Sequence, residues 1–255
     1  ILPETIPKVD AGMLRMWSSL EYSALCVEIL SLFISVEDIP KEDLCAVVNR
    51  SFENFGGDGS VVQLQQLDGT TEKEVFVCEL WHGPTLAFKD LGMQVLAQLL
   101  SYFLNRRNAA KDSPPQYLNL LVGTSGDTGS SAIEAVMGLP YISITVLYPV
   151  GHGISKVQEL QMTTVTHPSV HVIGVDGTSD DLDIPMEAVF SMTEFKKKHN
   201  LGTVNSVNIC RLLVQTIHFF YSYLQIYPSA EETINFVVPT GAAGHISAGV
   251  IALQM

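Results

Sequence analysis

The chain reads as an α/β protein with parallel strand pairing, for three reasons. From residue 117 onward, short apolar segments at 117–122, 142–147, 170–175 and 234–238 alternate with stretches of helical apolar spacing. Strands separated by helices pair in parallel through right-handed crossovers. Two of these segments run straight into small-residue turns, at 123–130 and 240–245, and each turn opens a further helical pattern. Hydrophobic residues are 47% of the 255 and charged residues only 16%, against a usual charged share of roughly 25%. Such a balance suits a sheet covered on both faces.

The elements follow in order. Residues 1–8 form a proline-bounded extended segment, and 14–34 is apolar enough for a continuous helix. Pro40 followed by Glu42 and Asp43 marks a helix start, ended by the glycines of 56–59. Residues 61–67 and 75–80 form two strands about an Asp68-Gly69 turn. Leu91, Met93, Val95, Leu96, Leu99, Leu100 and Phe103 make a buried helix, and 105–116 a surface linker with Pro114-Pro115. Helices are expected at 130–137, 155–162 and 209–227, with 181–199 helical in two pieces broken near Pro185.

The formal charge of −13 argues against nucleic acid and anionic membrane as partners. An anionic small molecule would need local positive groups or helix N-termini. Cys26, Cys45, Cys78 and Cys210 are scattered with no CxxC spacing, which points to buried thiols in a reducing compartment. The histidines form no HxxxH or HExxH group, so no metal is expected. No signal-peptide pattern or span-length apolar run is present, and a cytoplasmic location is expected. The chain opens on Ile1 and stops at Met255 within an apolar helical pattern, as a fragment would.

Chemistry gathers around Trp81-His82-Gly83-Pro84-Thr85-Leu86-Ala87-Phe88-Lys89-Asp90. A turn delivers Lys89 to the mouth of an apolar helix. Desolvation there would leave a neutral amine able to form a Schiff base with an aldehyde, whereas a lysine at an ordinary helix end would snorkel to solvent.

The turn Gly123-Thr124-Ser125-Gly126-Asp127-Thr128-Gly129-Ser130 follows a buried strand. Its glycines allow tight turning, and the helix start offers N–H donors to an anion. Asp127 would compete for that positive end, so an anion would sit among Thr124, Ser125, Thr128 and Ser130 with Asp127 turned elsewhere. The second turn, Thr240-Gly241-Ala242-Ala243-Gly244-His245, carries nothing larger than Ala before His245, so a phosphate could approach its backbone. A structural βα turn is the plain alternative for both. Asn205, Asn208 and Arg211 precede or open an apolar helix. They could hold an anionic group, or Asn205 could cap the helix and Arg211 pair with an acid.

Together these stretches resemble the threonine synthase family, pyridoxal-phosphate enzymes of fold type II. The resemblance runs from Leu2-Pro3-Glu4-Thr5-Ile6-Pro7 through the Phe88-Lys89-Asp90 and Ser125-Gly126-Asp127-Thr128-Gly129 motifs. It continues through Gln158-Glu159-Leu160-Gln161, Lys198-His199-Asn200 and Asn205-Ser206-Val207-Asn208 to Val238-Pro239-Thr240-Gly241. It implies a tryptophan synthase β-like fold in three parts: an N-terminal segment at 1–75, a small parallel α/β domain at 113–199, and an incomplete large domain from 76–112 with 200–255.

The resemblance also implies pyridoxal 5′-phosphate as cofactor, held as a Schiff base on Lys89. Gly241, Ala242, Ala243, Gly244 and His245 would cradle its phosphate. Thr124, Ser125, Gly126, Thr128 and Gly129 would face the substrate carboxylate, with Asp127 near the cofactor ring. Asn205, Asn208 and Arg211 would complete the substrate site. Threonine synthases usually carry Gly-Asn-Phe-Gly in the second turn. The Ala-Ala version resembles the animal threonine synthase-like 2 branch, which is associated with converting O-phosphohomoserine to 2-oxobutanoate rather than threonine. Two rival readings are a serine or threonine dehydratase of the same cofactor class, and an inactive truncated chain acting as a binding or signalling protein.

Overall fold

The computed structural model describes residues 3–56, 60–67, 74–109, 114–151, 153–206 and 208–255. The chain forms two compact units, one of residues 1–83 with 209–255 and the other of 84–208. The N-terminal segment groups with the C-terminal helices in the first unit.

The first unit is mostly helical. It contains α1 (Ala11–Trp17), α2 (Tyr22–Leu30), α3 (Lys41–Phe52), the antiparallel pair β1 (Gln63–Gln66) and β2 (Phe76–Glu79), α9 (Ile209–Ile226) and α10 (Gly244–Gln254). The helix expected across 14–34 is broken after Trp17 and resumes at Tyr22, because Asp10 caps α1 early and two serines follow Trp17. Leu25, Ile29 and Leu30 of α2, Leu44 and Val48 of α3, and Val214 and Ile217 of α9 build the core. At about 25 cal/mol per Å², burying such side chains is the main stabilising term here. Trp17 meets Phe220 edge-on at 6.1 Å.

The expected strand at 234–238 does not form, and Val237 is 96% exposed. A strand needs a hydrogen-bonded neighbour, and none among the described residues lies beside this one. The Asp68-Gly69 turn, residues 57–59 of the glycine run, Leu2 and Val207 lie outside the described residues.

The second unit contains α4 (Lys89–Asn108), β3 (Leu118–Gly123), α5 (Asp127–Val136), β4 (Ile142–Val150), α6 (Lys156–Thr163), β5 (Val170–Asp176), α7 (Asp183–Ser191), α8 (Thr193–Lys198) and β6 (Leu201–Gly202). Its sheet is wholly parallel in the order β5-β4-β3-β6. The register pairs Leu118 with Ile142 and Gly123 with Leu147, so β3 delivers the Gly123 turn at the carboxyl edge of the sheet. That edge is where open parallel sheets bind ligands.

Two expectations change here. The helical break falls at Met192 rather than at Pro185, because Pro185 stands in the first turn of α7, where its missing N–H costs no hydrogen bond. Helix α4 continues to Asn108, into the expected linker, and 110–113 of that linker lie outside the described residues. No helix among the described residues is long and apolar enough to cross a membrane.

Candidate active site

In the second unit, the turn before α4 is fastened by the residue after the lysine. The Asp90 carboxylate is fully buried and accepts from the Thr85 amide at 2.8 Å and the Thr85 hydroxyl at 2.6 Å. A buried carboxylate needs such donors, since leaving it unpaired would cost several kcal/mol. The Thr85 hydroxyl also lies 3.1 Å from that of Ser131 on α5, and Gln161 of α6 donates to the Thr85 carbonyl at 3.2 Å. Within this clip Leu86 takes the left-handed conformation, φ 60°, with its side chain 72% exposed. Backbone strain of that kind costs about 1–2 kcal/mol and persists only where surrounding bonds hold it.

Lys89 is the first residue of α4. Its Nζ donates to Oδ2 of Asp127 at 3.1 Å and lies 4.9 Å from the Phe88 ring centroid. The purely apolar setting expected from sequence is replaced by an ion pair, because Asp127 turns toward the amine instead of into its own helix start. The other oxygen of Asp127 accepts from Gln158 Nε2 at 2.6 Å. Burial acts to raise the affinity of Asp127 for a proton, but the Gln158 bond and the Lys89 charge outweigh it and hold the carboxyl below its ordinary range.

The Gly123–Ser130 turn is built around Thr124, which is 5% exposed. Its hydroxyl accepts from the amides of Gly126 and Gly129, both at 3.0 Å, and donates to the Gly126 carbonyl. The anion nest expected there is thus partly filled by the chain's own side chain. The amides of Ser125, Asp127 and Thr128, with the Ser125 and Thr128 hydroxyls, keep no partner among the described residues. Ser130 is withdrawn, donating to the Asp127 carbonyl at 3.2 Å. Gly126 has φ 154°, and a Cβ there would meet the Gln158 carboxamide at 2.5 Å, so the position requires glycine. At Gly129, a Cβ would lie 2.4 Å from Met162 Sδ.

Asn205 bonds within its own unit. Its amide donates to the Gly123 carbonyl at 3.1 Å and its carbonyl oxygen accepts from Thr203, so it braces the base of the turn. Asn208 donates its N–H to the Asn205 carbonyl at 2.9 Å. Arg211 belongs to the other unit, 3% exposed at the start of α9, where burial lowers its guanidinium to about 10.

Gln158 is the residue whose role sequence reasoning missed. Its Oε1 accepts from the amide and hydroxyl of Ser155, closing a capping box on α6, while its amide holds Asp127. The Ser155-x-x-Gln158 spacing was the available signal.

In the first unit, the turn 241–245 opens α10. Ala243 is the N-cap, with no side-chain cap bond, and the Thr240 hydroxyl donates to the Ala242 carbonyl at 2.6 Å. The amides of Ala242, Ala243 and Gly244 have no partner among the described residues, and a Cβ at Gly241 would meet open space. His245 Nδ1 lies 3.3 Å from Gln215 Oε1, and burial lowers its imidazole below the ordinary range.

Residues 1–52 match the family model "Threonine synthase N terminus". Threonine synthase-like 2 of Xenopus laevis is 49% identical over 255 residues, covering all of this chain and 51% of that protein. The crystal structure of threonine synthase from yeast superposes with a TM-score of 0.89 at 40% identity, over all of this chain and 50% of that one. The pyridoxal-phosphate-bound threonine synthase from Brucella melitensis gives 0.85 at 35% identity, over 100% and 52%. The chain spans about half the length of the relatives it matches. The fold type II architecture expected from sequence is the fold observed.

Proposed function

We propose, on the premise that this chain is homologous to the threonine synthases and threonine synthase-like 2 proteins over about half their length, that its residues serve a pyridoxal-phosphate-dependent lyase acting on O-phosphohomoserine. Phosphate leaves, and the product is threonine or 2-oxobutanoate. The observation that carries this reading is the Lys89 amine, held at 3.1 Å from a carboxylate by a turn that a buried aspartate closes.

The residues fit the cofactor. Lys89 offers a primary amine that is neither sealed in the core nor loose in solvent, its side chain 23% exposed. The Ala242, Ala243 and Gly244 amides, without a partner among the described residues, and the open space at Gly241 would suit a phosphate ester, on a helix start that favours negative charge. When bound, pyridoxal phosphate would supply an electron sink for the substrate α-carbon. Lys89 would bond its aldehyde carbon, and on release by substrate would move protons at the substrate carbons as general base and acid. Asp127 orients the amine, and Gln158 fixes Asp127. The amides of Ser125, Asp127 and Thr128 would bind the substrate carboxylate. Arg211, too buried to scan solvent, would counter the leaving phosphate or brace the start of α9.

Supplying the chain with the cofactor and O-phosphohomoserine, serine or threonine in turn tests the reading. Phosphate release from the first, without turnover of the other two, is the expected outcome. Formation of 2-oxobutanoate from threonine would move the assignment to a dehydratase. A folded chain that shows no imine absorbance would leave it as a binding protein.

A further inference from the structure

Behind the 241–245 turn lies a histidine that the proposed mechanism does not use. His218, in the middle of α9, is 3% exposed, and neither ring nitrogen has a hydrogen-bond partner among the described residues. An unpaired buried imidazole is costly, so a state that satisfies it is favoured. Its ring centroid lies 5.1 Å from that of His245, the second residue of α10. The Tyr22 ring stands 6.1 Å from it, with its hydroxyl also buried and without a partner among the described residues.

We propose that His218 and His245 form one proton-accepting pair that becomes charged when a phosphate monoester enters the 241–245 turn, so that binding is linked to proton uptake. The inference rests on the assignment of that turn to a phosphate. An anion at the unpaired amides of Ala242 to Gly244 would give the pair the counter-charge that its apolar surroundings withhold. His218 would share the added charge with His245, whose Nδ1 lies 3.3 Å from Gln215 Oε1.

The neighbours cannot take this role. Burial raises the Tyr22 phenol and the Cys26 thiol of α2, and raises Cys210 and Tyr221 on α9 itself. Burial also raises Cys78 of β2, which meets α9 through Ser222. Arg211 keeps its charge near neutrality even after being lowered to about 10. Trp17 of α1 and Phe52 of α3 bring only rings. Burial, then the charge of His245, lowers His218, and burial lowers His245, so without ligand the pair is neutral.

The test uses pyridoxine 5′-phosphate, which carries the ester but no aldehyde and so leaves Lys89 out of the proton balance. Titration calorimetry of the full chain between pH 6.5 and 8, in buffers of different ionisation heat, counts protons. His218→Phe serves as reference because the ester's own second ionisation, near pKa ~6, is common to both proteins. The wild type should take up at least about half a proton more than the variant at pH 7, and its affinity should fall several-fold more steeply as pH rises. Ring nitrogen NMR of the wild type alone should show neutral His218 turning to imidazolium at saturation. Binding with no excess proton uptake, or with an unchanged His218 signal, overturns this inference and leaves the phosphate turn standing. Failure of the ester to bind overturns both.

Discussion

The two glycine turns look alike in sequence, each a small-residue run ahead of an apolar helix, yet the chain treats them oppositely. At 123–130 the side chains close in. Thr124 takes two amides, Ser130 a carbonyl, Asp127 the lysine, and Asn205 braces the base. At 241–245 no side chain caps the helix, and three successive amides stay unpaired among the described residues. The first turn is held by its own polar groups, and the Ser125, Asp127 and Thr128 amides left over are set in place by that bracing. The second presents backbone donors that have no partner among the described residues. Internal bracing fixes the direction of whatever donors remain, whereas a turn without it leaves its amides open to what approaches them.

Replacing the lysine tests the braced turn most severely. Lys89→Ala should abolish borohydride-trapped pyridoxyl label at position 89 entirely, as read by peptide mass mapping. Label retained elsewhere in the folded variant would mean that another amine carries the cofactor.

Next in size is Gly126→Ala. The methyl group must displace Gln158 and adopt a backbone that alanine rarely takes, so denaturant unfolding should show a loss of about 2–3 kcal/mol. Asn205→Ala should cost about 1 kcal/mol, by removing the donor to the Gly123 carbonyl. A change within error would show that the turn needs no external brace.

Asp127→Asn separates charge from shape. The Asp127 carboxyl is held low in the folded chain, so its stabilisation is full above its unfolded value of about 3.9 and is lost as pH falls through the lower folded one. The wild type should therefore exceed the variant in melting temperature at neutral pH and converge with it in acid. Because the carboxylate side chain is 37% exposed, the difference should stay under about 1 kcal/mol. A gap that widens in acid contradicts the pairing.

The smallest effect belongs to the open turn. Ala242→Asn should add one side-chain donor and tighten pyridoxine 5′-phosphate roughly twofold, the equivalent of about 0.5 kcal/mol, the low end for one hydrogen bond. Unchanged affinity would show that the amides already saturate the ester.

Much of this was legible in the residues. The lysine motif, both turns and the parallel alternation are local patterns, and local patterns survive folding. What sequence could not supply is which polar groups consume one another. Thr124 reads equally well as a ligand donor or as an internal acceptor, and only its distances to Gly126 and Gly129 decide. Asn205 reads as a cap because caps are read from the following helix, yet its partner Gly123 is far away in sequence. The strand expected at 234–238 failed for a similar reason, since a strand is a property of two segments. The two-residue strand Leu201–Gly202 was too short to show any period. Pro185 misled because a proline breaks a helix only beyond its first turn.

Gln158 joins two matters that are usually separate. The same carboxamide stitches the first turn of α6 and steadies the partner of Lys89. Fraying of that short helix end and loosening of the amine's orientation are therefore one event. Substitutions at the outer surface of α6, far from Lys89 in sequence, gain a route to its amine through a single rotamer.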